Sequence, residues 1–191
     1  MNDMSAEQEK VFSEFKKWIE ENNVTHNPWH TDSFFLRFCR ARKFDLKKII
    51  IMFTDYMKYR TENNLDTIMS VSRVNRNNHI QDFHWDKKNE VMQYYPKGYC
   101  GVDKIGRPIY IERSGSIKVT KFWEVVDNPD DLWRYYYQSY EQVIKLHFMA
   151  CSLISKKQIG HCFSILDMTG FSMGMMNKRV YGLVQQASKV T

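Results

Sequence analysis

The periodicity of this chain changes type near residue 85, and that change limits the folds open to it. Before it, apolar residues recur at helical spacing. Val11, Phe15, Trp18 and Ile19 form one such stripe within residues 5–23, and Leu46, Ile49, Ile50, Phe53 and Met57 form another. After it come turn chemistry and short alternating runs. "DKIGRP" at 103–108 supplies Gly106 for a positive φ and Pro108 for the first position of a strand. "IYIER" then reads as that strand, with Ile109 and Ile111 on one face and Tyr110 and Glu112 on the other. Residues 130–149 read as an aromatic helix through Trp133, Tyr136, Tyr137, Tyr140, Val143 and Ile144. "CFSILDM" at 162–168 reads as a buried strand ended by Gly170, and 173–189 as a last helix. The order predicts a helical N-terminal domain (1–69), a polar connector (70–84) and an α/β layered domain from 85 to 191.

Charge placement in "FFLRFCRARKFD" (34–45) raises a separate question. Asp32 or Ser33 is expected to cap a helix beginning there, and Asp45 to cap the next one. At about 100° per residue, Phe34, Phe35, Phe38, Cys39 and Ala41 gather on one side. Arg37, Arg40 and Lys43 fall opposite, on a solvated face. Arg42 projects from the apolar side, between Phe35 and Cys39. A guanidinium buried there needs a carboxylate or an anionic ligand, unless the helix ends first and frees it.

Composition removes several function classes. The chain is 43% hydrophobic over 191 residues, which suits a globular fold, and its net charge of +6 fits several anionic partners. The basic residues are scattered, with no dense run or groove-reading motif, so no nucleic-acid partner is expected. Cys39, Cys100, Cys151 and Cys162 are widely spaced and the histidines show no ligand spacing, so no metal is expected. "MNDMSAEQEK" has no signal-peptide core, and "IIIMF" is far short of the roughly 18 apolar residues of a spanning helix. A cytoplasmic protein with reduced thiols is the expectation. Asp167, with Cys162 and Ser164 nearby, comes nearest to a catalytic set. No histidine or second carboxylate lies in register with them, so no enzyme is expected.

Four ordered motifs carry a resemblance. "FLRFCRARKFD", the apolar helix ending "YMKYR", and "LDTI" resemble the N-terminal domain of the CRAL-TRIO lipid-transfer family. "YYPKGYCGVDKIGRPIYIERSG" resembles that family's most diagnostic segment, and "SYEQV…ACS" and "SILDMTG" follow in its order. The resemblance implies a helical lid domain packed on an α/β domain with a deep apolar pocket. One phospholipid, phosphatidylinositol or phosphatidylcholine, is held there without a cofactor or covalent chemistry. It is exchanged during transient association with a membrane surface, by a protein expected to be a monomer.

The resemblance also assigns residues. Arg42 and Lys43 match an Arg-Lys pair whose arginine contributes to the phosphoinositide phosphate site, a role suited to bidentate pairing. Tyr99, Tyr110 and Tyr140 match tyrosines around the choline headgroup, where aromatic faces attract a quaternary ammonium. Read without the resemblance, each is a core or strand-face tyrosine. Cys162 and Ser164 match two hydroxyl residues on the phosphate of the choline lipid. Ser164 keeps the hydroxyl, whereas the Cys162 thiol is a weak donor, which weakens or removes that site. Cys100 stands where the family usually has histidine, and Phe148-Met149 where proline usually precedes "ACS". The family's further strands and gating helix do not follow Thr191, so a C-terminally truncated domain is expected, with a small sheet marginal by itself. The alternatives are a fragment or paralogue without transfer activity, and a basic module held at membrane surfaces by charge.

Overall fold

The computed structural model describes residues 4–24, 27, 29–69 and 85–190. The connector expected at 70–84 lies outside the described residues. The chain divides into two compact units, Met1–Asp66 and Thr67–Thr191.

The first unit holds α1 (Ala6–Glu21), α2 (Asp32–Ala41) and α3 (Leu46–Glu62). Ser5 and Gln8 close a reciprocal capping box at the start of α1. Asp45 caps α3 as expected, its carboxylate accepting from the Lys48 N–H. For α2 the expected caps do not form. Thr31 occupies the N-cap position without a side-chain bond, and Asp32, already helical, takes the Lys16 ammonium at 2.8 Å. Phe15, Phe35 and Phe53 meet edge-to-face at the centre, with centroids 5.3 to 6.1 Å apart. Each such burial contributes about 1.5–3 kcal/mol.

All three helices stop in the same way. Asn23, Lys43 and Asn64 take left-handed φ values of 49°, 51° and 51°. The N–H one residue later then reaches back to the helix: Val24 to Ile19 O (3.1 Å), Phe44 to Cys39 O (2.8 Å) and Leu65 to Arg60 O (3.0 Å). These are Schellman ends, each returning an apolar residue towards the core. One consequence corrects the helical-wheel placement of Arg42. Because α2 ends at Ala41, Arg42 is its C-cap and stands exposed rather than on the apolar side.

The second unit comprises α4 (Lys88–Tyr94), β1 (Lys97–Val102), β2 (Pro108–Glu112), α5 (Val119–Val125), α6 (Pro129–Gln142), α7 (Phe148–Ser155), β3 (Phe163–Leu166) and α8 (Lys178–Val190). The sheet has the order β1-β2-β3, antiparallel across the hairpin and parallel between β2 and β3. The parallel pairing is reached by way of α5, α6 and α7, as a parallel connection requires. Asp103 organises the hairpin turn, accepting from Ile105 N (3.0 Å), Arg107 N (2.8 Å) and Arg107 Nε (2.6 Å). Gly106 takes the expected positive φ, 91°. Gly101, at φ 63°, marks a bulge where β1 carries one extra residue between Tyr99 and Val102.

Three expectations change here. The helix expected over 130–149 is α6, a π-helical turn at Val143–His147 and then α7 in unbroken succession. The last helix begins at Lys178, after a separate 3₁₀ turn at Met173–Met175. The strand expected to be buried at 162–168 is β3, and all four of its residues are exposed. It is one of the sheet's two edge strands.

Candidate lipid-headgroup site

Strand register decides which side chains of the second unit meet. Lys97 of β1 lies opposite Glu112 of β2, and Tyr99 lies opposite Tyr110. Tyr110 in turn pairs with Ser164 of β3, and Glu112 with Leu166. Side chains two apart share a face, so Lys97, Tyr99, Tyr110, Glu112 and Ser164 stand on one side of the sheet. Helix α6 brings Tyr136 and Tyr140 to that same side.

Glu112 is the centre of this face. Its Oε1 accepts from Tyr95 Oη (2.8 Å) and Ser114 Oγ (2.7 Å), and its Oε2 accepts from Tyr110 Oη (2.7 Å). Burial by itself raises a carboxyl pKa. Here the hydroxyls of Tyr110, Ser114 and Tyr95 and the charge of Lys97 together hold Glu112 below its ordinary value. Burial pushes Tyr110 and Tyr95 well up, and the Glu112 carboxylate adds to the rise in both. Tyr140 is raised first by burial and then by the charge of Glu112.

Lys97 completes the group. Its Nζ lies 3.5 Å from the Tyr136 ring centroid and 4.5 Å from that of Tyr95. Burial among these rings lowers its pKa to about 7, against the opposing pull of Glu112. Tyr99 is raised by burial and then by the neighbouring Cys162. The Tyr99 ring is flanked by Tyr110 at 5.1 Å and His147 at 5.2 Å.

Five of the residues singled out in the sequence therefore come together: Tyr99, Tyr110, Tyr140, Cys162 and Ser164. Arg42 and Lys43 belong to the first unit, where both are exposed and Lys43 supplies the left-handed residue ending α2. Sequence reasoning missed Lys97, Tyr95, Tyr136 and His147 as parts of this face. It placed Glu112 beside Tyr110 but gave the carboxylate no role. The alternation of "IYIER" was the signal for Glu112. For Lys97 there was little, since "KGYCGV" holds two glycines and a bulge in place of alternation.

Asp167, the acid nearest a catalytic set, serves the turn after β3. It accepts from Thr169 N at 2.9 Å and pairs with Arg113 at 3.4 Å. Among the described residues no cluster of three or more His, Cys, Asp or Glu could hold a metal. Among them, too, no helix is long and apolar enough to cross a membrane.

Residues 8–55 match the CRAL/TRIO N-terminal domain and residues 92–191 match the CRAL/TRIO domain. The chain belongs to the CRAL/TRIO family. It is 37% identical over 187 residues to the phosphatidylinositol/phosphatidylcholine transfer protein SFH9 of Arabidopsis thaliana, a match covering 96% of this chain and 30% of that protein. It is 32% identical to the SEC14 cytosolic factor of Kluyveromyces lactis, over 98% of this chain and 57% of that protein. The chain thus spans between about a third and somewhat over half the length of these relatives. The crystal structure of Sfh5 shares the fold with a TM-score of 0.62 at 16% identity, covering 97% of this chain and 66% of that one. The α/β class with a helical N-terminal region is accordingly that of the CRAL/TRIO fold.

Proposed function

We propose that this chain binds phospholipid and takes part in its transfer between membranes, without covalent chemistry and without a cofactor. The observation carrying this reading is the convergence of Tyr99, Tyr110, Tyr140, Cys162 and Ser164 on one sheet face beside α6. The names of the relatives, phosphatidylinositol/phosphatidylcholine transfer proteins, support the same ligand class. Residues 1–69 serve as the helical domain and 85–191 as part of the lipid-binding domain. Arg42 and Lys43, exposed at the end of α2, are free to meet a phosphate. The protein acts as a cytoplasmic monomer that visits membrane surfaces and has no nucleic-acid partner.

The test is transfer of labelled phosphatidylinositol from donor to acceptor vesicles by the 191-residue chain. Transfer above the protein-free rate, insensitive to salt, is expected. Adsorption that disappears at high ionic strength would point instead to a surface held by charge. One observation favours a second reading, in which this chain by itself transfers nothing. Leu166, on the site's face of β3, is 59% exposed, and Phe163 and Ile165 on the opposite face are each 42% exposed, so this strand is open to water on both faces. Failure to retain any lipid through gel filtration would favour that reading.

A further inference from the structure

Helix α7 is built the wrong way round for a surface helix of a globular protein, whose apolar stripe faces inwards. Met149, Ala150, Leu153 and Ile154 recur at helical spacing, with Leu146 one turn earlier, and all five are exposed. Leu153 is 74% exposed and Ile154 83%. The inner side carries the hydroxyls instead. Ser152 Oγ donates to Phe148 O at 2.6 Å and accepts from Ile159 N at 2.9 Å. Ser155 Oγ donates to Cys151 O at 2.7 Å. Both serines are thus half-buried and satisfied by backbone, and Cys151, next to Ser152, is buried. A continuous exposed apolar face of this kind marks an interaction surface.

The charges around the stripe have one sign. From Gln142 to Leu166 the sequence holds no Asp or Glu, while Lys145, Lys156 and Lys157 fall within that stretch. Lys145 is taken by Glu141 at 2.8 Å. Lys156 and Lys157 are exposed at the C-terminal end of α7, where Lys156 adopts the left-handed φ of 50° that stops the helix. The helix dipole favours cations at that end. The β1–β2 hairpin adds to it. A Cβ on Gly106 would meet Ser155 Cβ at 2.7 Å, so the exposed Lys104 and Ile105 lie close by. A second copy of the chain would bring only the same cations to this patch. An anionic bilayer brings the opposite charge, with an apolar layer beneath it for Leu153 and Ile154.

We propose that the outer stripe of α7, together with Lys156 and Lys157, is a docking surface for anionic membranes. The helix lies along the bilayer surface, with Met149, Leu153 and Ile154 inserted at the boundary between headgroups and acyl chains. The two ammonium groups stay at headgroup level beside the lipid phosphates. This rests on the transfer reading above and uses none of the residues of the tyrosine face.

The test is co-flotation of the full chain with vesicles of phosphatidylcholine, alone or mixed with phosphatidylserine. The wild-type protein is expected to float with the mixed vesicles and at least about tenfold less with the neutral ones. Leu153→Gln/Ile154→Gln and Lys156→Gln/Lys157→Gln are each expected to reduce flotation with mixed vesicles at least about tenfold. All four positions are exposed, so the urea midpoints of both variants should match wild type. Lys10→Gln/Lys17→Gln, which removes the same charge from exposed positions of α1, should float as wild type does. High salt should narrow the gap between the two vesicle types, while the loss from Leu153→Gln/Ile154→Gln persists. A wild-type protein that stays off anionic vesicles overturns the proposal, as do patch variants that float normally or an α1 control that loses as much. A dimer in solution that Leu153→Gln/Ile154→Gln dissociates also overturns it, by assigning the stripe to a second copy. Transfer is read separately. A chain that floats through α7 but moves no phosphatidylinositol between vesicles upholds the docking surface and fails the transfer reading. A chain that moves phosphatidylinositol and floats equally well without the stripe does the reverse.

Discussion

Arg60 and Asp66 tie the end of α3 to the turn that follows it. The Arg60 side chain is almost wholly buried, at 1% exposure. Its Nε (3.1 Å) and a terminal nitrogen both donate to Asp66 Oδ1, and its other terminal nitrogen donates to Tyr56 Oη at 2.8 Å. The guanidinium also stacks 4.8 Å from the Trp29 ring. A buried guanidinium is stable only while its counter-charge stays in place. Asp66→Ala is therefore expected to lower stability by about 2 kcal/mol, less than for a fully enclosed pair, because the Asp66 side chain is 45% exposed. Urea unfolding of both proteins checks this. An unchanged midpoint would show that water at the turn serves Arg60 equally well.

That pair marks how far the sequence could be read. "YMKYR" and "LDTI" are visible as motifs, and the stripe of α3 predicts its buried face through Ile49 and Phe53. Their joining depends on the left-handed Asn64, which no periodicity announces. The wheel misplaced Arg42 for the same reason, since a Schellman end built on Lys43 in place of glycine leaves no sequence mark. In the second unit, the turn chemistry of "DKIGRP" was legible because each residue acts locally. The Lys97–Glu112 pairing was not, because it depends on register across a bulged strand.

Gly106 lies where that local turn meets the rest of its unit. A Cβ there would come within 2.7 Å of Ser155 Cβ, on a backbone whose φ of 91° already disfavours a side chain. Gly106→Ala is expected to cost about 1–3 kcal/mol. The companion change Ser155→Gly should recover the part due to the contact but not the part due to φ. Thermal unfolding of the single and double variants separates the two.

Gly115 sets a harder limit. Its N–H donates to Asp167 O at 3.0 Å, and an added Cβ would lie 2.3 Å from Thr169 O. Met168 C and O follow at 2.6 Å, and all three atoms are backbone, so no rotamer change relieves the clash. Gly115→Ala is expected to cost about 3 kcal/mol and to loosen the turn after β3. Hydrogen exchange should show faster exchange at the Gly115 equivalent and Thr169 amides; unchanged protection there would contradict the close packing.

Arg37 on α2 and Arg42 at its C-cap provide a comparison. Arg42 stands free at the C-cap, whereas Arg37 lies over the Phe34 ring at 6.0 Å on the helix body. If Arg42 meets the phosphate of an inositol lipid, Arg42→Ala should reduce binding to phosphatidylinositol vesicles about tenfold, the value of a charge-assisted pair. Arg37→Ala should change little. Equal losses would mean that only net charge matters, and high salt would then abolish both differences.

The buried amine also gives the fold a pH signature. Lys97 has a pKa of about 7 in the folded chain against an ordinary 10.5. Between those values the unfolded chain holds a proton that the folded chain has released, so stability from this group rises with pH across that window. The depressed carboxyl of Glu112 has the other acid-side signature. Its contribution is present above its ordinary value of 4.5 and is lost as pH falls through the folded value. Above pH 10 the raised tyrosines Tyr95 and Tyr110 act in the opposite sense to Lys97, because the folded chain then holds their protons more firmly. The clean interval is therefore pH 7 to 9. There, the urea midpoint of the wild-type protein should climb, while that of Lys97→Met should stay level and start higher. Parallel curves for the two proteins would show that Lys97 titrates as an ordinary surface lysine.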